Sequence, residues 1–126
     1  MRSDRFRAAA EAKDFSQIDD LFTEDAIFRS PVVYKPYEGR EMIKVLLGAV
    51  VQVFEDFRYI DQVEGDDRAV LFFEARAGGR DLQGVDILRF ADDGRVSELV
   101  VMIRPMSGLN AVAAGMQKRL QASGAA

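Results

Sequence analysis

The chain of 126 residues contains no cysteine and no histidine. It therefore has no thiolate nucleophile, no disulfide, no Ser-His-Asp relay and no ordinary zinc site. Phosphate-binding fingerprints are missing as well: no GxGxxG follows a strand-like run, and no GxxxxGK[ST] occurs. No run of eighteen apolar residues is present, and the opening "MRSDRFRAAAEAKDF" carries charges where a signal peptide needs an apolar segment. There is no basic cluster either. Lys and Arg number 17 against 21 Asp and Glu, for a net charge of −4 and a pI near 4.9. That balance argues against nucleic acid and against a membrane as partner. The expectation is a cytoplasmic protein without cofactor or metal, limited to carboxylate, hydroxyl, Arg, Lys and Tyr chemistry.

What is present is enough for one core: 48% of residues are apolar and 30% charged, in a length that suits a single domain. Residues 4–13 are Ala-rich with Phe6, Ala9 and Ala10 on one stripe, and "DFSQIDDLF" follows with Phe15, Ile18 and Phe22 at helical spacing. "DAIFRSP" reads as a strand stopped by Pro31, and "VVYKPYEG" as a loop. From Arg40, the positions Met42, Val45, Leu46, Ala49, Val50 and Val53 predict one long amphipathic helix.

After that helix the period changes to two. "FRYIDQVEG", "AVLFFEARA", "DLQGVDILRF" and "RVSELVVMIRP" are separated by "DD", "GG" and "ADDG", which are hairpin signals. Four hairpin-linked strands predict an antiparallel sheet to which the early strand can add. From Ser107, Leu109, Val112, Ala113 and Met116 recur at helical spacing before the chain frays through "ASGAA". The division expected is one domain over residues 1–105 and a helical tail over 106–126. The tail should dock, over the mouth of the fold or across a dimer.

Helices, a strand, a long helix and a meander make an α+β plan in which helices cover one concave face of a curved antiparallel sheet. In the order and spacing of "DFSQIDDLFTEDAIFRSP", "YEGREMIKVLL" and "VDILRFADDGRVSEL", the chain resembles the nuclear transport factor 2-like superfamily. That is the cone-shaped, cystatin-like fold of ketosteroid isomerase, scytalone dehydratase and the SnoaL-like polyketide cyclases. The resemblance implies a cone-shaped sheet and a two-fold dimer. In the ketosteroid isomerase pattern three residues line the deep end of the cone: a Tyr on the first helix, a general-base Asp at the end of the first strand, and a protonated Asp on the penultimate strand. The last falls on Asp86, the Tyr on Phe6 and the base on Ser30. Two of the three are replaced, so the resemblance does not carry ketosteroid isomerase activity with it. The SnoaL-like cyclases place their catalytic acid after the "GRV" turn, where this chain has Val101, and the dehydratases lean on histidine.

Asp86 lies among Val, Ile, Leu and Phe. If it points inward, period two also turns in Leu82, Leu88, Leu99, Val101, Ile103, Leu71 and Phe73, making with Phe6 and Leu46 a nearly apolar chamber. Its polar groups are Asp86, Ser30 and a Tyr, Tyr34 or Tyr37, from the Pro-bounded loop. An apolar pocket with a few converging polar groups is the usual form of a small-molecule site. Asp86 reads either as a functional donor or as a core acid satisfied by an N–H or a hydroxyl. Ser30 lacks a base and reads as a strand-end hydrogen bonder; the two Tyr read as loop packing or as ligand contacts. Glu74, Arg76 and Arg89 face away as solvated or interface charges.

Three functions fit: a binder of a small apolar molecule around Asp86, a cofactor-independent isomerase, cyclase or lyase using Asp86 as acid, and a dimeric structural module. The outward set of Val70, Phe72, Val85, Ile87, Val100 and Met102 predicts a homodimer through the outer sheet face, with Glu74, Arg89 and Arg104 placed to pair around it. Burial without an inward cation predicts that the Asp86 carboxyl rises above its ordinary value and is largely protonated in the empty pocket.

Overall fold

The computed structural model describes residues 1–122. Helix α1 (Asp4–Glu11) buries Phe6 and Ala10, and the four-residue α2 (Ile18–Leu21) buries both of its ends. The spacing around Phe15 predicts a longer second helix than the one observed. Lys13 takes a φ of 54° and the Asp14 side chain accepts the Ser16 N–H at 2.9 Å, so a turn occupies this stretch and delivers Phe15 to the core from outside any helix. Phe6, Phe15 and Phe22 meet there, with ring centroids 5.8 and 6.2 Å from Phe6.

Strand β1 (Phe22–Arg29) and the two-residue β2 (Tyr37–Glu38) precede helix α3 (Arg40–Val53), which starts after Gly39 at a φ of 93°. The buried stripe of α3 is Ile43, Leu46, Leu47 and Val51, whereas Met42 and Val45 are exposed. The expected stripe is thus turned by one position. Both series obey helical spacing, and the sheet beneath selects the one that starts at Ile43.

The meander follows as β3 (Glu55–Glu64), β4 (Arg68–Ala77), β5 (Arg80–Phe90) and β6 (Val96–Arg104). Gly78 and Gly79, with φ of 54° and 76°, make the tight β4–β5 turn. The sheet order is β2-β1-β6-β5-β4-β3. The early strand does join the meander, but in parallel, pairing Phe28 with Leu99 of β6. Alternation along β4 and β5 is as period two requires: Ala69, Leu71, Phe73, Ala75, Leu82, Asp86 and Leu88 are all buried. Helix α4 (Met106–Ala122) lies over the sheet and against α3. Gly108 permits this approach, since a Cβ there would stand 2.7 Å from Leu82 Cβ and 3.1 Å from the Asp81 carbonyl oxygen. The expected fraying starts at Ala122, which still belongs to α4, and its other positions, 123–126, lie outside the described residues.

Candidate functional site

Between the concave sheet face, α3, α4 and the β1–β2 loop lies a cavity of about 480 Å³. Asp86 stands on its floor. The β4 and β6 residues paired with it are Leu71 and Val101, so nothing beside it in the sheet offers a charge. Its side chain is 7% exposed, and its Oδ2 accepts a hydrogen bond of 2.7 Å from the Tyr59 hydroxyl. Tyr59 comes from β3, is itself buried, and is held edge-on by Phe57 and Phe73 at centroid distances of 4.9 and 6.3 Å. Burial pushes the Asp86 carboxyl up to about 7, and the Tyr59 hydrogen bond restrains that rise. Protonated and ionised forms therefore coexist at neutral pH, where the sequence predicts a largely protonated acid. Tyr59 is raised well above its ordinary value, by burial first and then by the Asp86 charge.

Of the residues expected in the pocket, Phe6, Ser30, Leu46, Asp86, Val101 and Ile103 line the cavity. Leu71, Phe73, Leu82, Leu88 and Leu99 are buried but do not reach it. The concave face is larger than the cavity: Phe54 and Phe57 cover Phe73 at 5.5 and 5.0 Å, and α4 covers Leu82 at Gly108. Tyr34 is also corrected, being 98% exposed on the loop. Tyr37 faces in instead, because β2 pairs it with Phe28, on whose ring it stacks at 6.2 Å. Ser30 Oγ accepts the Val32 and Val33 N–H groups at 3.0 and 3.4 Å, which makes it the clasp of the loop as well as cavity wall.

Sequence reasoning missed Tyr59. Its signal is the pair Phe57 and Tyr59, two residues apart with Arg58 between them, which puts both on one strand face. Val112, Met116 and Leu120 of α4 also line the cavity, so the C-terminal helix supplies one of its walls.

These features can be set beside known proteins. Residues 4–99 match the SnoaL-like domain family. This chain belongs to that family. Among solved structures, the SnoaL-like chain is similar to a steroid delta-isomerase from Pseudomonas aeruginosa, at 41% identity and a TM-score of 0.94, covering 99% of this chain and 93% of that one. A cystatin-like-fold protein from Silicibacter pomeroyi DSS-3 is 30% identical, with a TM-score of 0.91 and coverage of 95% and 85%. An NTF2-like protein from Mesorhizobium loti, at 21% identity and a TM-score of 0.74 over 82% and 88%, shares the fold. None of the curated proteins compared matches the chain. No helix among the described residues is long and apolar enough to cross a membrane.

Proposed function

We propose that this SnoaL-like chain binds a small, mostly apolar molecule carrying one oxygen that meets the Asp86–Tyr59 pair: a ketone, an enol or a phenol. The observation that carries the reading is a carboxyl 7% exposed, hydrogen-bonded to one buried phenol, in a cavity whose other lining is almost entirely apolar. The two protonation states of Asp86 serve different ligands. Protonated, it donates to a ketone oxygen; ionised, it accepts from a hydroxyl. The test is calorimetric titration with a polycyclic ketone, the matching phenol and the oxygen-free hydrocarbon. Asp86→Ala should weaken the first two about tenfold or more and leave the hydrocarbon unchanged, on the scale of a buried hydrogen bond. Equal loss for all three would defeat the reading.

A second reading, an isomerase-type enzyme, is favoured by the 41% identity to the Pseudomonas aeruginosa steroid delta-isomerase. Asp86 is the one carboxylate among the described residues lining the cavity, and at about 7 it sits where a group can both take and return a proton at neutral pH. It would remove a proton beside a carbonyl and redeliver it further along the conjugated system. Turnover of a β,γ-unsaturated ketone, followed by the absorbance of the conjugated product and lost in Asp86→Asn, would establish it; no turnover leaves the binding reading alone.

A homodimer through the outer sheet face belongs to the same proposal. Phe72, Met102 and Ile60 are exposed there at 37%, 56% and 54%. Arg104 donates to Gln83 at 2.7 Å and Arg58 to Glu74 at 2.8 Å, a polar ladder beside the apolar centre, as interfaces place it. Within the chain Glu74 is already engaged by Arg58 and Gln83, so the rim charges left to a partner are Arg89 and Arg104.

A further inference from the structure

The link between α1 and β3 lies outside the ligand reading. Strand β3 shifts register between Tyr59 and Asp61: Tyr59 pairs with Phe73, but Asp61 pairs with Phe72. In an unbroken strand residues 59 and 62 would point to opposite faces; the bulge puts both on the inner one. Tyr59 then reaches Asp86, while Gln62 reaches α1 and spends its whole amide there. Its Oε1 accepts from Arg7 Nη1 at 2.9 Å, and its Nε2 donates to Ser3 Oγ at 2.7 Å and Asp4 Oδ1 at 3.0 Å. Ser3 is fully buried and donates in turn to Glu64 at 2.8 Å. Held in this way, the Arg7 guanidinium lies 5.5 Å from the Tyr59 ring centroid, within cation–π range.

We propose that Arg7 is a positioning residue for the Tyr59–Asp86 pair: gripped by Gln62, its guanidinium covers the Tyr59 ring and keeps the hydroxyl aimed at Asp86. The charged groups acting on Tyr59 are Arg7 and Glu11 from α1 and Asp86 from β5. Glu11 tempers the cation, 3.4 Å from Arg7 Nε, and Phe57 and Phe73 hold the ring edge-on. Arg7 exerts its influence on Asp86 through the phenol, because its guanidinium is placed over the Tyr59 ring and it is the Tyr59 hydroxyl that donates to the Asp86 carboxyl.

The test needs no ligand, so it fails or succeeds separately from the binding reading. Carbon NMR titration of the Asp86 carboxyl is compared in the unaltered chain, Tyr59→Phe, Arg7→Met and the double variant. Loss of a hydrogen bond to the charged form raises the midpoint in Tyr59→Phe by about one pH unit. Arg7→Met should raise it by about half as much, and should add nothing in the Tyr59→Phe background. A midpoint unmoved by Arg7→Met overturns the proposal, as does an equal shift in both backgrounds, which would mean a direct field effect. Arg7→Lys keeps the charge and loses the planar grip. It should also raise the midpoint when Tyr59 is intact, and an unchanged value there overturns the proposal even if Arg7→Met does not fold.

Discussion

The two faces of one sheet depart from the ordinary rule in opposite directions. On the concave face, among Leu71, Leu88 and Leu99, an acid is buried; on the convex face, among Arg58, Glu74 and Arg104, the side chains of Phe72 and Met102 are left in water. Along β5 the exchange happens within three residues, since Asp86 points in while Val85 and Ile87 point out. A buried acid and an exposed apolar patch are both unfavourable for a bare monomer. Under the proposed function each has an occupant: an oxygen-bearing ligand inside and a second copy outside. The faces can be separated by experiment, because alternate residues report on different partners.

The largest effect is expected outside. Met102→Asp places a charge in the proposed interface from both copies at once, and an unpaired buried charge is severely unfavourable. Sedimentation at micromolar concentration should change from dimer to monomer, with the Asp86 titration untouched. An unaltered chain that already sediments as a monomer would remove the outer half of the comparison.

Next comes the inner acid. Its folded value of about 7 lies above the ordinary 3.8, so between those values the folded state holds a proton that the unfolded chain has released. Stability from this group is full below about pH 4 and is lost as pH rises through 7. At roughly 1.4 kcal/mol per pH unit the loss is on the order of 4 kcal/mol. Asp86→Asn removes the titration and should gain on the unaltered chain by about that amount between pH 4 and pH 8 in denaturant melts. A stability difference that is flat across this range would show that Asp86 is not the raised acid.

How much of this could be read without coordinates depends on what sets each residue's direction. Period two is local, and the residues it names as inward on β4, β5 and β6 lie on the concave face, Asp86 included; Val96 escapes it, because a register shift beside Phe90 turns that residue into the core. The partner of Asp86 was legible only as far as a strand face: the Phe57 and Tyr59 pair marks that face, but Tyr59 is 27 residues from Asp86, and the bulge that follows it, with no glycine or proline to mark it, hides which face of β3 is the inner one. Nor could alternation distinguish cavity wall from solid core. Leu82 and Ile103 both face in, yet only Ile103 lines the cavity, since α4 lies over Leu82. That choice belongs to helix placement, which is a tertiary matter.

A middle-sized effect tests that placement. At Gly108 an added Cβ meets Leu82 Cβ and a backbone oxygen, neither of which is a flexible chain end. Gly108→Ala should therefore lift α4 from the sheet, lowering stability by about 1–3 kcal/mol despite the better helix propensity of alanine. A gain in melting temperature would mean that α4 is free to shift.

The smallest effect comes from the loop that spans both environments. Tyr34 and Tyr37 are three residues apart on the same loop, and Tyr34 is the one the sequence favours as a ligand contact, yet Tyr34 is 98% exposed while Tyr37 stacks on Phe28 at 6.2 Å and lines the cavity. The pairing of β2 with β1 turns Tyr37 inward. Tyr34 has no such tie, and Ser30 clasps the loop through Val32 and Val33 without it. Tyr34→Ala should leave the free energy of unfolding within about 0.5 kcal/mol and ligand affinity unchanged. Tyr37→Ala should lower stability by about 1–3 kcal/mol, less than for a fully buried aromatic, and weaken binding with it. If Tyr34→Ala instead reduced affinity while Tyr37→Ala did not, the loop would close over the ligand in the opposite sense, and the inner wall would have to be redrawn around Tyr34.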